Sequence, residues 1–338
     1  MRHYKVGDCD KYFVYIWVVV HISILTLRNA VLASIADSRY VFTMVNEFLT
    51  RSGKEPLFRV QLVGVTEEVK LDNGLFSLHP DALIKDIGKT DLVIIPSLTG
   101  AMMPSNYLNI EYASWISHMY KNGAEVASLC TGAFLLAYSG LLKGKHCTTH
   151  WSYANEFRHF YPSVTVVDEK LITDQDGLYS SGGNNAYWNL LLHLVEKYAG
   201  REMAIHTAKY FVVDLDKDIQ SPFIIFNGLK DHGDEMILNA QATIEKNYRE
   251  KWTVSQIADE LNVTRRTFER RFKKATRNTV AEYIQRVKVE ATRKQLEIGR
   301  KSINEIMYEV GYTDAQTFRD VFRKITGLTP TEYRNKYN

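Results

Sequence analysis

"VSQIADELNVTRRTFERRFKKATRNTVAEY" (residues 254–283) recurs, with one residue inserted, as "INEIMYEVGYTDAQTFRDVFRKITGLTPTEY" (residues 303–333). Identities fall at Ile257/Ile306, Glu260/Glu309, Thr264/Thr313, Thr267/Thr317, Phe268/Phe318, Phe272/Phe322, Lys274/Lys324, Thr276/Thr326, Thr279/Thr329, Glu282/Glu332 and Tyr283/Tyr333. Self-similarity of this density means two copies of one supersecondary unit. Each copy reads as a short helix, a tight turn and a second helix. In the first, Ile257, Ala258 and Leu261 share one buried face, Asn262 and Val263 form the turn, and Thr264 is placed to cap the next helix. Phe268, Phe272 and Ala275 return to the core. In the second, Ile303, Ile306 and Val310 precede Gly311, whose missing Cβ suits a tight turn, and Thr313 is the expected cap of a helix carrying Phe318, Phe322 and Ile325. Two helix-turn-helix units are predicted.

The faces opposite those phenylalanines carry chemistry. Arg265, Arg266, Glu269, Arg270 and Lys273 project from the first unit's second helix, and Gln316, Arg319, Asp320 and Arg323 from the other. Arginine suits guanine O6/N7, glutamine suits adenine N6/N7 and glutamate accepts from cytosine N4, so these are base-reading side chains. Lysines and arginines at the helix ends suit phosphates. Between the units, residues 279–298 keep helical periodicity through Ile284, Val287, Ala291 and Leu296. Twenty residues span roughly 30 Å, close to the ~34 Å between successive major-groove faces on one side of B-DNA. Charge agrees: residues 234–338 hold 21 lysines and arginines against 15 aspartates and glutamates, while the rest of the chain holds 21 against 24. A basic terminal segment on a near-neutral chain points to a polyanion partner for that segment alone.

This segment resembles the AraC/XylS family of transcriptional regulators over residues 236–338, through Gly311, Tyr312, Asp314, Phe318, Phe322, Lys324, Gly327, Pro330, Tyr333 and Arg334. The resemblance implies duplex DNA as the polyanion, with base contacts at Arg266, Glu269 and Arg270 and at Gln316, Arg319 and Asp320. Met307 stands where the family often has a smaller residue.

Upstream, short apolar runs alternate with helical stretches: "VVVHISILTL", a helix near 38–50, "LFRVQLVG", "TDLVIIPSL", a helix near 107–121, "AEVASLC", a helix from about 132, and "YSSGG" leading into "YWNLLLHLVEKYAG". That order predicts an α/β domain, a flavodoxin-like parallel sheet with helices on both faces, ahead of the all-α tail. Ligands in such folds sit at the carboxyl ends of the strands, where Pro96, Ser97, Cys130 and Gly182 would gather. At "SLCTGAF" a strand turns sharply into a helix at Cys130, with small Thr131 and Gly132 after it. Helix-terminal amides at that elbow would lower the thiol pKa from its ~8.5 reference. His150 lies beyond a hairpin-like return and is placed to approach the sulfur. The plainer reading makes Cys130 a small buried hydrophobe.

Residues 21–210 resemble the ThiJ/PfpI superfamily, the class I glutamine-amidotransferase-like fold, whose nucleophile and histidine positions match Cys130 and the "TTHW" at 148–151. The resemblance implies a pocket at Ser97, Cys130, Thr131, His150 and Gly182. It also implies an acid in the first strand-helix loop, "NAVLASIADSRYVF"; Ser34 or Ile35 stands there, with Asp37 nearby, and Thr131 replaces the histidine of the protease branch. Cys130 and His150 are therefore expected to be vestigial as catalysts. Joined to an AraC-type tail, the fold has the layout of GlxA-type regulators. The expected organisation is an N-terminal extension (1–20), a sensor and dimerisation domain (21–213), a linker (214–235) and the DNA-binding domain (236–338). The expected partners are double-stranded DNA, a small-molecule effector, a second copy of the chain and RNA polymerase.

No metal or cofactor is expected: Cys9, Cys130 and Cys147 are scattered and form no C-x-x-C pair. A cytoplasmic location is expected. The apolar run from Tyr12 to Val20 is too short to span a roughly 30 Å bilayer core and, together with residues 21–27, reads as a buried strand.

Overall fold

The structure, a computed structural model, describes residues 19–183, 185–215, 219–250 and 252–338. Most of the N-terminal extension, residues 1–18, lies outside the described residues. The chain divides into two compact units at the Gln220–Ser221 peptide.

In the first unit the elements run β1 (Val20–Leu25), α1 (Leu32–Arg51), β2 (Phe58–Gly64), β3 (Val69–Leu71), β4 (Phe76–Leu78), β5 (Ala82–Leu83), β6 (Leu92–Ile95), α2 (Met102–Leu108), α3 (Ile110–Lys121) and β7 (Glu125–Ser128). They continue with α4 (Ala133–Tyr138), β8 (His146–Cys147), α5 (Ala154–Phe160), β9 (Thr165–Val166), β10 (Ile172–Gln175), β11 (Leu178–Ser181), α6 (Ala186–Ala199) and α7 (Arg201–Phe211). Seven strands form one sheet in the order β10-β11-β7-β6-β1-β2-β5. All its pairings are parallel except the β10–β11 hairpin. Helices α1, α6 and α7 pack together, as do α2, α3 and α4, the latter group against β6 and β7. Covered on both faces, Ile22, Ile24, Leu92–Ile95, Val126 and Ala127 are fully buried, which is why these strands read as unbroken apolar runs.

Three local expectations are corrected. α1 starts at Leu32 instead of near 38, so most of the expected acid-bearing loop is helix, with Ser34 and Ile35 buried in its first turn. The helix near 107–121 is two helices. At Asn109 the side chain donates to Ser105 O (2.8 Å) and Arg28 O (3.1 Å) and accepts from Arg28 N–H (2.9 Å), competing with the helical backbone and breaking it. The return from Cys130 to His150 is not hairpin-like: it passes through α4 and β8, and β8 pairs parallel with β9. The hairpin of β3 and β4 was not among the expected elements, although Asp72-Asn73-Gly74 between its strands is a turn signal.

The second unit is helical: α8 (Glu235–Lys246), α9 (Val254–Glu260), α10 (Arg265–Thr276), α11 (Val280–Ile298), α12 (Ile303–Glu309), α13 (Ala315–Thr326) and α14 (Pro330–Tyr337). Its two halves have separate cores, Phe268, Phe272 and Tyr283 in one and Phe322, Leu296 and Tyr333 in the other. α11 contributes to both. Thr264 caps α10 by accepting from Thr267 N–H (3.3 Å). In the second copy the cap is Asp314, not Thr313: its carboxylate accepts from Thr317 N–H at 2.7 Å. The inserted residue lies in this turn and moves the cap one position on. Thr279 is itself the N-cap of α11, which begins at Val280. Thr253, Thr279, Ser302 and Thr329 all sit in reciprocal capping boxes with Gln256, Glu282, Glu305 and Glu332. Each box satisfies amide donors that a helix start otherwise leaves open.

Candidate nucleic-acid interface and effector pocket

Helix α10 buries Phe268 and Phe272 completely and turns Arg265, Arg266, Arg270 and Lys273 to solvent. Glu269 is half-buried, because Arg265 Nε donates to its carboxylate at 3.0 Å. Helix α13 repeats the arrangement: Phe318 and Phe322 are buried, while Gln316, Arg319, Asp320 and Arg323 are exposed. Gln316 Nε2 donates to Asp320 at 2.9 Å, which holds the amide along the helix face. Of the nine predicted recognition side chains eight are exposed, and Glu269 is half-buried. Arg271 is not among them. Its guanidinium grips Asp234 in two hydrogen bonds (2.7 and 3.1 Å), a fork that ties α10 to the start of α8. These bonds hold the Asp234 carboxyl below the usual carboxylate range.

In the first unit the carboxyl ends of β6, β7 and β11 bring Ser97, Cys130, Thr131 and Gly182 together. Cys130 has φ +53°, a left-handed conformation costly for a residue with a Cβ. Its amide donates to Ser181 Oγ (3.1 Å) and its carbonyl accepts from Thr149 Oγ1 (3.1 Å). Thr131 Oγ1 bonds Ser97 Oγ (2.9 Å), accepts from Leu98 N–H (2.8 Å) and reaches Leu98 O (2.7 Å). The elbow demands glycine at 132, where a Cβ would stand 2.6 Å from Pro96 O and 2.8 Å from Ile95 O.

The expected activation of the thiol is corrected. Cys130 is 1% exposed, and burial pushes its pKa up, outweighing the hydrogen bonds from Ser97 and Thr131 that favour the thiolate. The acid position is also resolved. Ser34 spends its hydroxyl on Val31 O (2.7 Å) and on Ser97 N–H (3.0 Å), whereas Asp37, one turn later, accepts from Tyr187 OH at 2.6 Å. Burial, then Asp37, raise the Tyr187 phenol pKa, and Cys130 lies close enough to add to it. The carboxyl in this region thus bonds a tyrosine that no spacing in the sequence announced.

His150 is half-buried, and burial lowers its pKa. Its Nδ1 accepts from Ser152 N–H (3.2 Å) and bonds Ser152 Oγ (2.7 Å). A neutral imidazole with Nδ1 accepting carries its proton on Nε2, and that nitrogen is then a donor, not a base. The space over Gly182 is filled by Gln220, whose Oε1 accepts from Gly183 N–H at 2.9 Å. Gln220 was not among the residues singled out from sequence. Among the described residues no group of three or more His, Cys, Asp or Glu side chains is placed to hold a metal ion, and no helix is long and apolar enough to cross a membrane.

A two-part molecule of this kind, an α/β domain followed by twin helix-turn-helix units, is a DNA-binding transcriptional regulator, and the relatives agree. The DJ-1/PfpI family model matches residues 43–197 and a helix-turn-helix domain model matches residues 257–336. The HTH-type transcriptional regulator GbdR of Pseudomonas aeruginosa is 25% identical over 93% of this chain and 83% of its own length. CdhR, an HTH-type transcriptional regulator of the same species, is 23% identical over 79% of this chain and 78% of its own. A crystal structure from Vibrio parahaemolyticus shares the fold of the first unit at a TM-score of 0.51 and 21% identity, over 57% of this chain and 98% of that one. The chain is an AraC-type transcriptional regulator with an N-terminal DJ-1/PfpI domain.

Proposed function

We propose that this regulator binds duplex DNA as a cytoplasmic homodimer and that its DJ-1/PfpI domain senses a small-molecule effector or redox state without catalysing a reaction. The observation that carries the DNA reading is the outward face of α10 and α13, with Arg266, Arg270, Gln316 and Arg319 exposed opposite buried phenylalanines. Arg266 and Arg270 read bases in the first half-site, Gln316 and Arg319 read the second, and Lys273 and Arg323 hold phosphates. In the sensor the protonated Cys130 thiol and the donor Nε2 of His150 support a recognition pocket over a nucleophile and base pair. A bound effector changes how the two DNA-binding units are presented to the operator and to RNA polymerase.

Selection of bound duplexes from a random pool, followed by titration, tests this reading. Arg266→Ala and Arg270→Ala should each weaken the selected site by about 1–3 kcal/mol and relax preference at one position. Unchanged affinity and unchanged preference in both would remove these residues from the interface. A second reading, a working cysteine hydrolase or hydratase fused to a DNA-binding domain, draws on the left-handed Cys130 at a nucleophile-like elbow. It requires turnover of a small isonitrile, amide or aldehyde that Cys130→Ala abolishes while DNA binding survives.

A further inference from the structure

The residue over Gly182 is supplied by the segment that leads into the DNA-binding unit. Gln220 is 2% exposed, and its carboxamide is fully engaged. Oε1 accepts from Gly183 N–H (2.9 Å), and Nε2 faces Thr148 Oγ1 (3.1 Å), Thr149 O (3.1 Å) and Lys170 O (3.2 Å). Its backbone is held as well, with Ile219 bridged to Lys170 and Gln220 N–H donating to Glu169 O at 2.9 Å. Gly182 makes the room, since a Cβ there would stand 2.5 Å from the Gln220 amide.

The seat is selective. One N–H donor beside two carbonyls and a hydroxyl matches a primary carboxamide, whereas a carboxylate would face the carbonyl oxygens unpaired. It also shares parts with the sensor site. Thr149, whose carbonyl receives Gln220, donates its hydroxyl to Cys130 O, and the Gly183 backbone lies beside the His150 ring.

On the far side of a single peptide bond, Ser221 belongs to the second unit. There the buried Arg293 of α11 donates to Ser221 O (2.9 Å) and to Ile224 O, and Phe226 N–H donates to Glu290 of the same helix (3.3 Å). Within the segment read from sequence as a 22-residue linker (214–235), Gln220 is thus held by the first unit and Ser221 by the second. The helix that grips it is the one shared by both helix-turn-helix cores.

We propose that Gln220 is a latch: a built-in carboxamide occupant of the sensor's strand-end seat, through which the state of the residues around it, Thr149 bonded to Cys130 and Gly183 beside His150, reaches α11. The proposal rests on the DNA-binding reading only for its consequence, not for the latch itself. Hydrogen exchange on the full chain tests the two separately. Gln220→Glu keeps the shape of the side chain and spoils its hydrogen bonds, so it should speed exchange at Gly183 and at Ile224 and Phe226, across the peptide bond, by about tenfold. Acceleration at Gly183 with Ile224 and Phe226 unchanged overturns the latch, as does no acceleration at all.

Gly182→Ala should reproduce the effect by displacing the amide. In a Gln220→Ala background it should add nothing, since no side chain remains to clash; an undiminished effect there would mean general damage to the domain and would also overturn the latch. Because coupling is reciprocal, saturating the wild-type chain with its selected duplex should change Gly183 exchange at least about threefold, a response lost in Gln220→Glu. A bound duplex without that response overturns the latch. Failure of the wild type to retain any duplex sinks the DNA reading and leaves the exchange result to decide the latch on its own.

Discussion

Cys130 illustrates how one residue type supports opposite chemistries depending on its surroundings. A cysteine at a strand-to-helix elbow followed by small residues is the pattern of an activated nucleophile. What decides the matter is solvent: at 1% exposure the thiolate loses more hydration than Ser97 and Thr131 restore, so its pKa rises. Cys147 is more extreme, its pKa pushed up to about 12 by burial. With folded pKa values above the ordinary thiol value, both groups remain protonated through neutral pH and ionise only as pH climbs past it. Iodoacetamide at pH 7.5, followed by peptide mass mapping, should therefore label Cys130 and Cys147 at least about tenfold more slowly than free glutathione. Labelling of Cys130 as fast as glutathione would restore it as a reactive sensor or nucleophile. The sequence showed which residues meet at the strand ends, but not their protonation, because desolvation is a property of the folded neighbourhood. Asp37 and Tyr187 meet across 150 positions of chain and left no local trace.

At the level of elements, the second unit depends on its helix starts. Three of its four capping boxes use glutamate. Hydrogen bonds from the Thr279, Ser302 and Thr329 caps hold Glu282, Glu305 and Glu332 below the usual carboxylate range. A carboxyl with a lowered folded pKa contributes stability that is fully present above its unfolded value of about 4.3 and is lost as pH falls through the folded value. The fourth box, at α9, uses Gln256, which does not titrate. On acidification below about pH 4, exchange protection corrected for intrinsic rates should fall at the first turns of α11, α12 and α14 before that of α9, and Glu282→Gln should make α11 behave like α9. Simultaneous loss in all four helices would show that the boxes do not set the acid response. These helices were legible because the repeat fixed their phase: Phe268 and Phe318 fall at equivalent positions and are both buried. The cap of α13 was misplaced by one residue because an insertion within the turn shifts the cap and leaves the hydrophobic phase intact. The break at Asn109 was illegible for another reason, since its cause is a hydrogen bond to Arg28, 81 residues away.

Across the whole molecule, charge is divided by task. The basic excess lies in residues 234–338 while the rest of the chain is slightly acidic, so a polyanion is attracted by the helical unit and not by the α/β unit. Much of that excess is on the recognition helices, where Arg265, Arg266, Arg270, Lys273, Lys274, Arg319, Arg323 and Lys324 are all exposed. Each phosphate neutralised releases counterions, so the logarithm of the binding constant should fall linearly with the logarithm of salt concentration, by about 0.9 per phosphate contact. If about six to eight such contacts form per chain, the slope measured by fluorescence anisotropy should be about −5 to −7 per chain bound. If Lys273 holds a phosphate, Lys273→Ala should make the slope shallower by about 1 and weaken every duplex alike, whereas Arg266→Ala should weaken the selected site more than others. A slope shallower than about −2 would mean that the exposed cations on α10 and α13 do not meet the backbone, and the twin helix-turn-helix units would then hold DNA by some other face.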